Sequence, residues 1–442
     1  MSLQPADFAR SDHPVLDRLL RAAGQQRVRG VDLTLDRIER LLKRMASPHL
    51  KMPPVFHVAG TNGKGSTTAF LRAALEASGH RVHMFTSPHL VRVNERIRVA
   101  GTLVSDEDFA EALAEVLKYN ASQPLSFFEA ITTAAFLLFA ATPADATILE
   151  VGLGGRLDST NVVPKPLVTG IASLSLDHVA ILGPTLRHIA AEKAGIAKRG
   201  VPLVTQKYPA QIAGAVAEIA IPRGAKLMAR GEAWDAAAYE GALGFRLLNQ
   251  PDTEPLKLPI PKLPGAHQLD NAALAVAMIR AQDALTVPDS ALRSAMGWAQ
   301  WPARLQRLVS GPLVAELPAG SELWLDGGHN PAAGKALATH LAAATPALPL
   351  HLLMGMLPTK DHSGFIRSFP RGTRMTMLPI PGHDHAAPAE LAAFANTHGM
   401  KADTADDLNA ALAHVQGPAR VLICGSLHLA GEVLRINGPL PV

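Results

Sequence analysis

The clearest chemistry in the chain lies in eight consecutive residues, Gly60-Thr-Asn-Gly-Lys-Gly-Ser-Thr67. Glycines at these spacings let backbone N–H groups converge on phosphate oxygens, and a helix opening just beyond adds partial positive charge. Lys64 would reach the terminal phosphates of a nucleotide, and the Ser66 hydroxyl would hold Mg²⁺. The strict pattern G-x-x-x-x-G-K-[ST] is broken twice. Val58 occupies the first glycine position, and Gly65 displaces the hydroxyl to Ser66. Read alone, the segment is also a glycine-rich turn with an incidental lysine. Glu150 follows the apolar run 146–149, and a carboxylate ending such a strand enters the crevice where doubly wound sheets bind ligands. His178 stands just past another apolar run, 167–174. A hydroxyl, a carboxylate and an imidazole on one rim suit a hard cation beside phosphate, the imidazole being the least usual ligand for Mg²⁺. Taken singly, Glu150 also reads as a solvated strand-end acid, and His178 equally as a loop histidine bonded to backbone.

These groups need elements that deliver them to one place. Apolar runs at 55–58, 81–86, 146–151, 167–174 and 201–205 read as buried strands. Helical patterns separate them at 66–77, 106–118, 128–141 and 185–197, the second opened by Ser105 with Asp108 three residues on. Such alternation predicts an α/β fold with a mostly parallel sheet covered on both faces. Residues 222–265, rich in proline and glycine, read as a loop-rich insertion or a small antiparallel sheet. A helix is expected at 271–284, and a linker around Trp298–Arg307 in which strand and helix patterns lapse. Alternation then resumes: strands 322–325, 351–354, 374–379 and 420–423, with helices 332–344, 387–398 and 408–415, define a second, smaller α/β domain.

Composition narrows the class. The 442 residues allow two or three domains at roughly 150 each. A 48% hydrophobic and 18% charged chain is not intrinsically disordered. The single cysteine, Cys424, allows no internal disulfide and suits a reducing cytosol. The N-terminus lacks a signal-peptide pattern, and the most apolar stretch, 130–141, is too short to span a bilayer. A net charge of +4 with no Lys/Arg run longer than two argues against a nucleic-acid partner.

The phosphate loop Ala59-Gly-Thr-Asn-Gly-Lys-Gly-Ser66 resembles that of the Mur ligase superfamily, in particular folylpolyglutamate synthase/dihydrofolate synthase. Further motifs follow in that family's order over nearly the whole chain. They are Thr86-Ser-Pro-His-Leu90, Asn94-Glu-Arg-Ile97, Ser126-Phe-Phe-Glu129, Glu150-Val-Gly-Leu-Gly-Gly-Arg-Leu-Asp-Ser-Thr-Asn161, Leu176-Asp-His178, Glu192-Lys-Ala-Gly-Ile196, His267-Gln-Leu-Asp-Asn271, Asp326-Gly-Gly-His-Asn-Pro331 and Cys424-Gly-Ser426.

The resemblance implies a P-loop-type mostly parallel sheet domain (residues 1–302), a linker (303–310) and a Rossmann-like glutamate ligase domain (311–442). It implies ATP contacts from Gly60, Thr61, Asn62, Gly63, Lys64, Gly65, Ser66, Ser87, Asn271, Arg304 and Asp326. Ser66 and Glu150 would serve one Mg²⁺, and Glu150, His178 and Lys193 a second, with Lys193 converted by CO2 to a carbamate. An unmodified lysine beside a dication would be electrostatically unfavourable. Catalysis is expected from Lys64, Lys193 and His329, the last close to the reacting phosphate. The acceptor would touch Val31, Asp32, Leu33, Thr34, Ser126, Phe127, Phe128, Glu129, Leu157, Asp158 and Ser159. Phe128 would stack on a flat pterin or benzoyl ring, although both phenylalanines also read as core residues of an apolar helix. Asn271 alone also reads as a helix cap. Trp301-Pro-Ala-Arg304 stands where the family usually has Pro-Gly-Arg, so Ala303 would have to follow the glycine's backbone path.

The implied reaction joins L-glutamate to dihydropteroate or folates, using ATP and an acyl phosphate. The implied protein is a cytoplasmic monomer with small-molecule partners and neither nucleic acid nor membrane. A peptidoglycan Mur ligase would need an N-terminal UDP-sugar domain, for which the 59 residues before Gly60 are too few. A P-loop switch would leave the Lys193 and Asp326 motifs without a task. A nucleic-acid motor is disfavoured by the absence of basic clusters and the 5% aromatic content.

Overall fold

The computed structural model describes residues 11–25, 32–250, 254–343 and 348–441. Val31 of the expected acceptor segment lies outside them. The chain divides into two compact units, one running to Lys262 and taking in His267–Gln300, the other holding Leu263–Ala266 and the chain from Trp301.

The first unit opens with helices α1 (Pro14–Gly24) and α2 (Asp36–Arg44), then β1 (Val55–Ala59), α3 (Lys64–Ala77), β2 (Val82–Phe85), β3 (Ile97–Val99) and β4 (Thr102–Leu103). It continues through α4 (Asp106–Asn120), α5 (Phe127–Ala141), β5 (Ala146–Glu150), β6 (Val168–Ile171), α6 (Val179–Leu182), α7 (Leu186–Ala194), β7 (Pro202–Thr205), α8 (Ala210–Ala220) and β8 (Lys226–Ala229). Strands β9 (Trp234–Tyr239), β10 (Ala242–Leu247) and β11 (Leu256–Pro259) precede α9 (His267–Arg280) and α10 (Asp289–Trp298).

The main sheet has the order β4-β3-β2-β5-β1-β6-β7-β8. β2, β5, β1, β6, β7 and β8 run parallel, while β3 and β4 form an antiparallel edge. Every residue of β1 and β5 is buried, as strands covered on both faces require. Helices α1, α2, α4 and α5 contribute Leu16, Leu20, Ile38, Leu41, Phe109, Leu113, Phe136 and Phe139 to one hydrophobic cluster. Helices α7 and α8 close another, with Ala190, Ala194, Ile212 and Val216 against Ile171 and Leu203. Each large apolar side chain so buried contributes roughly 1.5–3 kcal/mol. α3 lies between α9 and α10 and is buried along most of its length, which is why its sequence shows little amphipathic contrast.

Region 222–265 resolves into two parts. β8 is the outer strand of the main sheet, and β9–β11 form a separate antiparallel sheet in the order β11-β10-β9. The fully buried Trp234 joins them, its indole N–H donating to the Met228 carbonyl at 3.1 Å. α9 begins at His267, four residues before the expected start, and ends at Arg280. Just beyond that end the Gln282 amide bonds the Ile279 and Leu285 carbonyls.

The second unit contains β12 (Gln306–Leu308), α11 (Pro312–Ala315), β13 (Glu322–Leu325), α12 (Pro331–Ala343), β14 (Leu350–Met354), α13 (His362–Ile366) and β15 (Arg374–Met377). It ends with α14 (Pro388–Thr397), β16 (Lys401–Thr404), α15 (Leu408–Ala413), β17 (Arg420–Cys424) and α16 (Leu427–Asn437). Its sheet runs β12-β13-β17-β14-β15-β16, parallel except for β12. Part of the expected linker is therefore a strand, because Gln306–Leu308 pairs antiparallel with β13.

Candidate active site

Register brings the chemistry of the first unit together. Val58 pairs with Glu150 and Ala59 with Ile171, so the glycine loop leaves β1 between the ends of β5 and β6. The loop is stitched to the segment after β6: Thr61 and Asn62 donate their backbone N–H to Ser173 O at 2.8 and 3.4 Å. The Thr61 hydroxyl donates to Ser175 O at 3.1 Å, and the Asn62 amide to the Ser175 hydroxyl at 3.1 Å. That segment carries His178, whose exposed ring lies 3.9 Å from Asp177. Gly63 has φ +85°, and a Cβ there would run into the buried Asn271 amide. Asn271 sits inside α9 rather than at its head, so it is not a helix cap; its Nδ2 donates to Gln268 Oε1 at 2.9 Å.

Two lysines meet at one oxygen. Lys64 Nζ donates to the Gly60 carbonyl at 3.0 Å and to Thr61 O at 3.3 Å. Lys193 Nζ, from the last turn of α7, donates to the same Gly60 carbonyl at 2.9 Å. Lys193 is 4% exposed. Burial, reinforced by the Lys64 charge, brings its ammonium down from 10.5 to about 7. A substantial fraction of this amine is therefore neutral at physiological pH, unlike that of an ordinary lysine.

Glu150 is buried at the end of β5, and its Oε2 accepts the Ser87 backbone N–H at 3.2 Å. The Ser87 loop is itself held by Glu95, whose carboxylate accepts N–H groups from Leu90, Val91 and Arg92 at 2.6–2.9 Å. Beyond Glu150 the loop 152–158 closes on itself, with Leu153 N donating to Asp158 Oδ2 at 2.8 Å. Asp158 Oδ1 accepts from the Thr160 N–H at 3.0 Å and hydroxyl at 2.5 Å. That hydroxyl also meets His57 Nε2 on β1 at 2.8 Å. Its one proton goes to Asp158, so His57 must donate from Nε2, which leaves Nδ1 as a buried acceptor with no hydrogen bond. Burial drives His57 to about 3, so it stays neutral. The same loop is pinned to α7 by Arg156, which bonds the Glu192 carboxylate at 2.8 and 3.0 Å and, through its backbone N–H, the Glu192 carbonyl.

The expected acceptor residues fall into two groups. Asp158, Ser159 and Glu129 are buried and Leu157 is half-buried; the Asp158 and Glu129 carboxylates are turned onto the protein itself. Asp32 is exposed, while Leu33, Thr34 and Ser126 are half-buried. Phe127 is a core residue beneath the Arg96 guanidinium, 5.9 Å from its ring centroid. Phe128 stays partly exposed, 5.7 Å from the Phe85 ring and so close to Gly152 that a Cβ there would strike it. Arg37, absent from the expected set, ties these groups together. Its Nε bonds both Glu129 oxygens at 3.1 Å, and Nη1 bonds Asp32 Oδ2 at 2.7 Å.

In the second unit Asp326 directly follows β13, and each of its oxygens accepts a backbone N–H: Gly328 N at 2.6 Å and Leu305 N at 2.7 Å. His329 Nδ1 lies 2.9 Å from the Gly327 carbonyl, which can only accept, so Nδ1 carries a proton. Ala303 has φ +54°, the left-handed path that a glycine would follow without strain, and its carbonyl accepts Arg304 Nη1 at 2.9 Å.

Among the described residues no group of three or more His, Cys, Asp or Glu is assembled to hold a metal. One buried carboxylate and one buried hydroxyl beside a phosphate loop nevertheless fit Mg²⁺, which takes few protein ligands and completes its shell with phosphate oxygens and water.

A mostly parallel sheet with a phosphate loop at its carboxyl edge is the arrangement of a nucleotide-binding α/β unit. A family model for the Mur ligase middle domain matches residues 58–279. The dihydrofolate synthase/folylpolyglutamate synthase of Escherichia coli (strain K12) is 32% identical over 408 residues, covering 92% of each chain. A solved structure of E. coli FolC in complex with DHPP and ADP superimposes with TM-score 0.84 at 31% identity, covering 95% of this chain and 97% of that one. A bifunctional folylpolyglutamate synthase/dihydrofolate synthase with Mn, AMPPNP and L-glutamate bound gives TM-score 0.82 at 31% identity, with the same coverage. The chain belongs to the Mur ligase superfamily and, within it, to the dihydrofolate synthase/folylpolyglutamate synthase family.

Proposed function

We propose that this chain is an ATP-dependent ligase that joins L-glutamate to dihydropteroate, to folyl-polyglutamate, or to both, through an acyl phosphate. The observation that carries the reading is the glycine loop seated between the ends of β5 and β6, with Lys64 and Lys193 on one carbonyl and Glu150 alongside. Backbone N–H groups of residues 63–66, at the start of α3, cradle ATP phosphates, and Lys64 swings from its loop carbonyls onto the terminal phosphate. Ser66 and Glu150 would hold Mg²⁺, which would neutralise phosphate charge when bound. The acceptor carboxylate attacks the γ-phosphate, ADP leaves, and the glutamate amine displaces phosphate from the mixed anhydride. The protein contributes mainly orientation and charge placement.

Lys193 in its neutral form attacks CO2, forming a carbamate and releasing one proton. The product would be an anionic oxygen donor beside the Lys64 cation, and with Glu150 and His178 it would serve a second ion. Asn271, Ser87, Arg304 and Asp326 are assigned to the nucleotide, His329 to the reacting phosphate, and residues 31–34, 126–129 and 157–159 to the acceptor. Residues 1–302 form the ATP-binding and catalytic domain, 303–310 the connection, and 311–442 the glutamate ligase domain. We place the enzyme in the cytoplasm as a monomer; no described helix is long and apolar enough to cross a membrane.

The test supplies purified protein with ATP, Mg²⁺ and labelled glutamate, offering dihydropteroate and reduced folates in parallel. Incorporation into either acceptor is expected. Incorporation into neither, with ATP bound, overturns the reading.

A further inference from the structure

We infer that Arg37 is a positioning residue for the acceptor, clamping the Asp32 segment against the head of α5. The inference rests on the assignment of those two segments to the acceptor. The head of α5 is a reciprocal cap: Glu129 N donates to the Ser126 hydroxyl at 3.1 Å, and Ser126 N donates to Glu129 Oε2 at 2.6 Å. This cap sets the first turn, from which Phe127 enters the core and Phe128 stays at the surface. Glu129, whose carboxylate closes the cap, is 2% exposed. Its charge is met by Arg37, 92 residues earlier in the chain, through Nε to both oxygens.

The other edge of the guanidinium turns outward. Nη1 donates to Asp32 Oδ2 at 2.7 Å and Nη2 to the Asp32 carbonyl at 2.6 Å, fixing both side chain and backbone of that residue. The side chain of Asp32 is 63% exposed and that of Arg37 only 12%, so the pair runs from core to surface. With one edge on Glu129 and the other on Asp32, Arg37 is occupied by the protein and does not serve as a counter-ion for an acceptor carboxylate. It acts through Asp32 and the α5 head. Only a planar fork spans the two partners at once; a lysine ammonium has the charge without that geometry.

The experiment measures steady-state kinetics of wild type, Arg37→Lys and Arg37→Met with dihydropteroate or a reduced folate as the varied acceptor, and thermal melts of each. Both variants are expected to raise the acceptor KM by about tenfold or more, with the KM for ATP changed less than about twofold. The double variant Arg37→Met/Glu129→Gln should be no worse than Arg37→Met, because the two groups act as one unit. An unchanged acceptor KM in Arg37→Lys overturns the inference, as does an equal rise in both KM values accompanied by a lower melting temperature. Wild type that binds ATP and ligates no acceptor overturns the functional assignment instead, and this control separates the two failures.

Discussion

The proposed nucleotide side and the proposed acceptor side of the first unit treat charge in opposite ways. At the phosphate loop two ammonium groups crowd a single carbonyl, and one of them is buried and held near neutrality. At the head of α5 a guanidinium lies between two carboxylates, which raise its affinity for its proton against the opposing effect of burial. The first arrangement sets two cationic side chains against one another, so it favours an incoming anion such as phosphate. The second is complete in itself and holds shape. On the proposed assignment, the groups in conflict serve binding and chemistry and the fully paired groups serve positioning.

That contrast can be broken in several ways. Lys64→Ala should cut ligation by about 10²–10³-fold or more while the melting temperature stays close to wild type, since the loss of its two loop hydrogen bonds is offset by relief of its repulsion with Lys193. Retained turnover in a glutamate-incorporation assay would show that the lysine pair is not the phosphate site. Lys193→Met should lose about 10²-fold or more, yet in CO2-free buffer at neutral pH it should melt at or above the wild-type temperature. The sign follows from its folded value of about 7 against 10.5. Between these values the unfolded chain holds a proton that the folded chain lacks, so this group favours folding increasingly as pH rises through that window. The advantage of the methionine variant should therefore shrink toward pH 10, as read by calorimetry. A variant that melts well below wild type would mark Lys193 as a fully paired residue.

Thr160→Val tests the link between the two sides, since that hydroxyl connects β1 through His57 to the Asp158 loop. Two buried partners lose a hydrogen bond, so stability should fall by about 1–3 kcal/mol and kcat/KM by about tenfold. A neutral outcome in denaturant titration would disconnect the sides. The smallest effect is expected outside both. Ala303→Gly relieves a left-handed alanine at the cost of chain entropy, and should raise stability by about 0.5–1 kcal/mol. Calorimetry should show this as a melting increase of about 1–3 °C, and a decrease would refute the strain argument.

Local spacing made some of this legible and long-range pairing hid the rest. The phosphate loop, the strand ending at Glu150 and the alternation of both sheets are written within runs of a few residues. Arg37 and Glu129 stand 92 residues apart, and Lys193 and Gly60 133 apart. No periodicity joins them. β8 escaped because its residues are only half-buried or exposed at a sheet edge, so it lacks the apolar run that marks its neighbours. β12 escaped for a related reason, being three residues long with only Leu308 fully buried. The Asp158 and Glu129 carboxylates, assigned to the acceptor by position in a motif, bond nearby backbone and Arg37, partners that the motif does not record. Motif membership locates a residue without saying which way its side chain faces.

The tie between β8 and the small antiparallel sheet also supplies an optical label. The chain has four tryptophans. Trp234 is sealed from solvent against the Phe245 ring, whereas Trp298, in the same unit, is 60% exposed. Trp324 of the second unit packs edge-on to His340 and bonds Glu322. A sealed indole emits at shorter wavelength and resists aqueous quenchers, so the blue, quencher-resistant part of the emission follows the small sheet without any attached dye.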